Sequence, residues 1–412
     1  MKQLIGNAVV GQSGGPTVAI NATLAGVIRG FLENAHGGCI RKLYGMRNGV
    51  EGLLQERLMD LGAFFDTEEK LELLEHTPSS ALGSCRKKLP KVEADPAFYE
   101  QMLAIFKKYD IRYFFYIGGN DSMDTVAKLS AYTAEHEYEM VIIGVPKTID
   151  NDLVGTDHTP GFGSAAKFIA VTMQEILRDC AVYQIPAVTI VEIMGRDAGW
   201  LTAAAGVGLA VNGQAPDLIY LPERVFDLDT FIADVQEALK KHPNVVVAVS
   251  EGIRFANGKY VGEGTQTGAT DAFGHAYLAG TAKTLELTVR EKIGCKVRSI
   301  ELNLPQRCAA HLASETDLTE SVTVGRGAVR AAGEGVTGCM MTFIRTSEDP
   351  YTVEVGHSDV SKIANQIRTV DDAFINEAGN HITLACCDYI LPLINGEAKC
   401  RYEKGIPMHI IL

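Results

Sequence analysis

Along this chain, short runs of consecutive apolar residues alternate with longer stretches in which apolar positions recur at helical spacing. That alternation predicts parallel strands joined by crossover helices. The strand candidates are Ile5–Gly11, Tyr113–Ile117, Met140–Val145, Ala187–Ile193 and Val245–Val249. Each is hydrophobic almost throughout, as strands covered on both faces should be. Helices are predicted over Val18–Asn34, Pro96–Tyr109, Ser122–Glu135, Gly163–Arg178, Ala198–Val211 and Leu228–Lys240, with Ser122 and Asp227 as N-caps. The glycine-rich span Asn257–Gly280 predicts a long loop, a place where function often sits. From about Thr346 the pattern is mixed and carries no legible motif.

Length changes this picture first. With 412 residues, two or three domains are expected. Hydrophobic residues make up 46% and charged residues 22%, which is ordinary for a globular protein that buries its own core. The formal net charge of −13 argues against a general nucleic-acid partner. It leaves anionic substrates open, because local clusters of Arg and Lys decide those. The nine cysteines are scattered without metal-binding spacing and read as free thiols of a reducing, cytoplasmic compartment. The first apolar run, Leu4 to Val10, is too short to span a membrane. The glycine turn Gly11–Gly15 follows too soon for a signal peptide, so the run reads as a buried strand.

The chemistry lies at strand ends. In open α/β sheets, ligands gather beyond the carboxyl ends of the strands. Glycines there let backbone N–H groups approach an anion, and the next helix favours negative charge at its N-terminus. Four segments fit: Gly11-Gln12-Ser13-Gly14-Gly15-Pro16-Thr17, Gly118-Gly119-Asn120-Asp121-Ser122, Pro146–Asp152 and Met194-Gly195-Arg196-Asp197-Ala198-Gly199. None is a Walker loop or a dinucleotide fingerprint. Any one alone would serve as a plain turn; four in succession point to a site.

The third segment sets Lys147, Thr148, Asp150 and Asp152 close together after a buried strand. Phosphoryl transfer needs a base for the acceptor hydroxyl, a cation for the transferring group and a metal held by oxygens. Asp150 suits the base, Lys147 the cation, and Asp152 or Asn120 a magnesium ligand, since Mg²⁺ takes few protein oxygens. Spacing alone suits a solvated loop with turn-capping aspartates equally well. Arg86, Arg298 and Arg307 offer planar forks for phosphate. Glu251 suits sugar hydroxyls or an ordinary strand end, and His275 reads as structural.

These motifs, in this order, resemble the phosphofructokinase family, most closely its pyrophosphate-dependent branch. The resemblance spans roughly residues 4–345 and rests on GQSGGPT, GGNDS, PKTIDND, GFGSAAK, MGRDAGW, SEG and the final PQR. It implies two Rossmann-like α/β domains with mostly parallel sheets and an active site in the cleft between them. Residues 1–160 with about 306–370 would bind the donor, and 161–305 with about 371–412 would bind the sugar. It also implies a homodimer or homotetramer, without membrane or nucleic-acid partners.

Residue by residue, the resemblance implies Asp150 as the catalytic base, with Lys147 and Asp121 setting the donor. ATP-using relatives carry glycine at both of those positions. A side chain at Asp121 would crowd and repel the α-phosphate of ATP, and Lys147 would supply positive charge that pyrophosphate, lacking the nucleotide, must find on the protein. Gly14 and Arg86 are expected on pyrophosphate. Thr148, Met194, Gly195, Arg196 and Glu251 are expected on the sugar, and Arg298 and Arg307 on its 6-phosphate. Asn120 falls where the family usually has a magnesium-binding aspartate. Leu304 replaces the usual His or Tyr, and Ala187 replaces an Arg that in many relatives reaches into the neighbouring subunit's sugar site. The expected reaction converts pyrophosphate and fructose 6-phosphate to phosphate and fructose 1,6-bisphosphate. The alternatives are an ATP-dependent phosphofructokinase and a catalytically silent sugar-phosphate-binding paralogue.

Overall fold

A computed structural model describes residues 4–263 and 280–412. The strands are β1 (Gly6–Gln12), β2 (Ile40–Met46), β3 (Leu58–Asp60), β4 (Ile111–Gly118), β5 (Val141–Pro146), β6 (Ala187–Ile193), β7 (Leu218–Tyr220), β8 (Asn244–Ser250), β9 (Lys296–Glu301), β10 (Cys339–Glu348) and β11 (Tyr351–Asp359). They form a sheet of seven strands, ordered β11-β10-β5-β4-β1-β2-β3, and a sheet of four, ordered β7-β8-β6-β9. The smaller sheet is parallel throughout, and the larger is parallel except for its outer pairs β2/β3 and β10/β11. The mostly parallel α/β reading therefore holds.

Burial explains the strands. Val9, Phe114, Phe115 and Ile143 are fully buried because helices cover both faces of the larger sheet. The main helices are α1 (Ile20–Leu32), α2 (Pro96–Lys108), α3 (Asn120–Glu135), α4 (Phe162–Cys180), α5 (Trp200–Ala204), α6 (Gly208–Asn212), α7 (Leu228–Lys241), α8 (Thr281–Lys292), α9 (Glu315–Gly333) and α10 (Leu384–Ile390). Helices α1 and α9 cross at glycines. A methyl group on Gly26 would stand 2.1 Å from the Val322 carbonyl oxygen, and one on Gly325 2.3 Å from that of Thr23. Only glycine allows this approach.

Several boundaries differ from the pattern-based reading. The predicted helix Ala198–Val211 is two short helices, α5 and α6, separated by a turn. Helix α3 begins at Asn120, with Gly119 as its N-cap, so Ser122 lies inside the first turn. Asp227 does cap α7, accepting from the Thr230 N–H at 2.8 Å. The stretch from Thr346 is ordered: it completes β10, turns into β11, runs through α10 and reaches a two-residue antiparallel pair, Tyr402–Glu403 with Ile406–Pro407. Tyr389 of α10 is packed in the second sheet's core, whereas Ile410 and Leu412 lie against the first sheet's core. Of the predicted loop 257–280, residues 264–279, including His275, lie outside the described residues. Among the described residues no helix is long and apolar enough to cross a membrane.

Candidate active site

The four turns singled out in the sequence meet in one cleft of about 710 Å³, bounded by the carboxyl ends of both sheets. The turn after β1 is held open by its backbone. The Ser13 N–H donates to the Ile117 carbonyl at 2.9 Å and the Gly14 N–H to that of Cys85 at 3.1 Å, with Gly14 at φ +79. Arg86 and Arg307 converge over the next residue. A methyl group on Gly15 would stand 3.3 Å from Arg307 Nη1 and 3.8 Å from Arg86 Nη2. Burial, and then repulsion from Arg86, depresses the Arg307 pKa. Two guanidiniums so placed make this side of the cleft strongly positive, a setting for anionic ligands.

Lys147 lies beneath the same turn. Its ammonium donates to the Gly15 carbonyl at 2.7 Å, and the side chain is buried. Burial brings its pKa down to about 8, while Asp150 and Asp152 pull it back up. It therefore remains mainly protonated at neutral pH. Asp121 lines the cleft one helical residue into α3, paired with Lys88 at 2.9 Å.

Asp150 and Asp152 open on the cleft floor yet are walled by protein. Desolvation raises the Asp150 pKa, against the pull of Lys147 and Arg196. Desolvation, reinforced by Asp150, pushes Asp152 up to about 7. The Asp150 N–H donates to Thr148 Oγ1 at 3.1 Å, which braces the turn. Asn151 between them takes φ +54, and its amide donates to the Tyr389 hydroxyl at 2.9 Å. That hydroxyl donates to the Asp157 carbonyl at 2.7 Å, and the Arg368 N–H donates to the Asp152 carbonyl at 2.8 Å. The Arg368 guanidinium sits 4.5 Å from the centre of the Trp200 ring.

The opposite wall belongs to the second sheet. The Met194 N–H donates to Gln306 Oε1 at 3.1 Å, and the Gly195 N–H donates to Glu251 Oε1 at 3.3 Å. Gly195 sits at φ +138 with the Ala198 carbonyl too close for any Cβ. Burial pushes Glu251 up to about 8, so before ligand arrives its carboxyl carries a proton it can donate. Arg196 lines the cleft beside it.

Gly14, Arg86, Asn120, Asp121, Lys147, Thr148, Asp150, Met194, Arg196, Glu251 and Arg307 all face this one space, with Gly195 just behind Glu251. Arg298 does not. It stands on β9 in a separate hollow with Tyr183, Ile185, Ala187 and Lys296. Sequence reading missed Lys88, Asn151, Arg368 and Tyr389. The last two come from the stretch that carried no motif, where no local signal marked them.

A sequence model of the family described as Phosphofructokinase matches residues 7–332. The chain belongs to the phosphofructokinase family. Similar phosphofructokinase sequences include the pyrophosphate–fructose 6-phosphate 1-phosphotransferases of Xanthomonas campestris pv. campestris and Methylococcus capsulatus. The first is 42% identical over 410 residues, 99% of this chain and 96% of that one. The second is 39% identical over 408 residues, 98% and 96%. The crystal structure of the pyrophosphate-dependent phosphofructokinase of Nitrosospira multiformis superposes with a TM-score of 0.88 at 38% identity, covering 98% of this chain and 96% of that one.

Proposed function

We propose that this phosphofructokinase transfers a phosphoryl group reversibly from pyrophosphate to the 1-hydroxyl of fructose 6-phosphate. The observation that carries the donor assignment is Lys147: its ammonium lies against Gly15, below the converging Arg86 and Arg307. A charge buried there costs stability unless an anion uses it. The Asp121–Lys88 pair stands at the mouth of the same turn, where a nucleotide's α-phosphate would have to pass.

In this reading Gly14, Arg86 and Lys147 hold pyrophosphate. Thr148, Met194, Gly195, Arg196 and Glu251 hold the sugar, and Arg307 its 6-phosphate. Asp150 takes the proton from the 1-hydroxyl as O1 attacks phosphorus. The bridging P–O bond breaks and inorganic phosphate leaves; in reverse Asp150 returns the proton. Lys147 and Arg196 oppose the desolvation that raises the Asp150 pKa, and so favour the charged form that acts as base. Residues 1–160 with about 306–370 form the donor half and 161–305 with most of about 371–412 the sugar half, the final residues Ile410 and Leu412 packing back on the donor sheet.

Magnesium fits the cleft floor. Asp150 and Asp152 are walled carboxylates whose pKa values burial raises, Asp150 adding to the rise at Asp152, so a divalent cation there would stabilise their charged forms. Asp152 would hold it with phosphate oxygens and water, and it would neutralise charge on the transferring group. Among the described residues no three His, Cys, Asp or Glu side chains gather as a closed metal site.

Arg298 fits a homo-oligomer. It shares its hollow with Ala187, the position from which many relatives reach into the neighbouring subunit's sugar site. Arg298 would reach a partner's 6-phosphate from there, within a cytoplasmic homodimer or homotetramer.

The deciding experiment measures turnover of fructose 6-phosphate and Mg²⁺ with pyrophosphate or ATP. Pyrophosphate is expected to support turnover and ATP to fail. Robust ATP use without pyrophosphate use would make this an ATP-dependent phosphofructokinase, and silence with both donors would make it a binding paralogue.

A further inference from the structure

We infer that Asn120 is a positioning residue: it latches the segment 363–368 across the cleft, between the turn after β4 and Asp152, and it is no ligand of the divalent cation. The inference rests on the reaction proposed above.

Asn120 is the first residue of α3, where the family usually places an acid. Here both ends of its amide are engaged. Oδ1 accepts from the Asn365 N–H at 2.5 Å, and Nδ2 donates to the Gln366 carbonyl at 2.5 Å. The partners fix the orientation, because an N–H needs an acceptor and a carbonyl needs a donor. Aspartate, of the same size, would set a carboxylate oxygen against the Gln366 carbonyl. The change from acid to amide is thus accounted for by the latch. A cation seeking Oδ1 would have to displace the Asn365 N–H.

The latched segment has fixed ends. Ile363 is buried at its start, and at its finish the Arg368 N–H is bonded to the Asp152 carbonyl at 2.8 Å. Between them Asn365 turns the chain at φ +65, and Asn365 and Ile367 face the cleft. The segment therefore ties the Asn120 turn to the Asp150–Asp152 turn, and it does so through backbone groups that no pattern of side chains reveals.

Asn120→Ala and Asn120→Asp test this by three readouts. Amide hydrogen exchange across 363–368 is expected to quicken at least about tenfold in both variants, as a local opening freed of its tie. The kcat with pyrophosphate is expected to fall about tenfold or more while the fructose 6-phosphate KM moves less than about threefold, with Asp unable to rescue Ala. Mn²⁺ affinity, read by electron paramagnetic resonance with pyrophosphate present, is expected to stay within about threefold, against the 10–100-fold loss that follows removal of a group supporting a metal. Unchanged exchange with a tenfold or greater loss of Mn²⁺ affinity overturns the inference, as does full turnover by Asn120→Asp. Should both variants fail to fold, the unmodified protein decides. With ¹⁵N-labelled asparagine side chains and Mn²⁺-pyrophosphate bound, electron–nuclear double resonance is expected to show no coupling to an asparagine amide; a coupling refutes the latch. Pyrophosphate turnover by the unmodified protein tests the reaction separately, so the two can fail independently.

Discussion

Asp150 and Asp152 are two residues apart, yet they keep different company. Burial raises the pKa of both; at Asp150 Lys147 and Arg196 oppose it, whereas at Asp152 the neighbouring Asp150 adds to it and the pKa rises to about 7. The two cations beside Asp150 favour its charged form, the form that can take a hydroxyl's proton. Asp150→Asn is expected to lower kcat by roughly 10²–10⁴, the usual worth of a positioned base, with the fructose 6-phosphate KM within about threefold. Steady-state kinetics with pyrophosphate checks this, and a kcat within tenfold of the unmodified enzyme would remove Asp150 from that role. At this scale much was legible: Lys147, Thr148 and Asp150 are adjacent in sequence and act at one strand end. Arg298 was legible as a phosphate-binding type but not in place, because residue type says nothing of which face of β9 it occupies. Tyr389 was illegible, since it meets Asn151 only through the fold.

Between elements, a buried imidazole ties the loop after β5 to α9. His158 bonds Asp157 at 2.8 Å through Nδ1 and Glu320 at 2.7 Å through Nε2. Arg345 of β10 faces Asp157 at 3.0 Å, and the Tyr351 hydroxyl of β11 donates to Glu320 at 2.8 Å. The two carboxylates outweigh burial and push His158 up to about 9. The folded protein thus holds this proton more tightly than the unfolded chain, whose imidazole titrates near 6.5. The added stability is complete below about pH 6.5 and is lost as pH rises through about 9, on the order of 3 kcal/mol in all. Chemical denaturation at stepped pH should show that decline in the unmodified protein and its loss in His158→Gln; an identical slope in both would refute the assignment. The elements themselves were legible where strands are hydrophobic on both faces. Strands β2, β3, β7, β9, β10 and β11 were not; β11, for one, is an edge strand with alternating exposure, and its pattern reads as a mixed tail. The break between α5 and α6 was hidden because apolar residues continue straight through it.

For the whole molecule, the cleft joins two sheets, while Arg298 looks outward beside the exposed Tyr183 and Ile185. Arg298→Ala is expected to raise the fructose 6-phosphate KM at least about tenfold, the loss of a charged hydrogen bond to phosphate, and to leave the pyrophosphate KM within about threefold. Co-refolding Arg298→Ala with Asp150→Asn chains should then restore activity above either parent, because a mixed pair contains one complete site. An unchanged sugar KM in Arg298→Ala would leave that arginine outside catalysis.

The Asn151–Tyr389 bond also has a meaning in time. Residues 146–152 leave the ribosome early, but the hydroxyl that holds Asn151 is made more than two hundred residues later. A nascent chain can fold its first strands while its catalytic turn still lacks that support. The turn can gain this support only once residue 389 has been made.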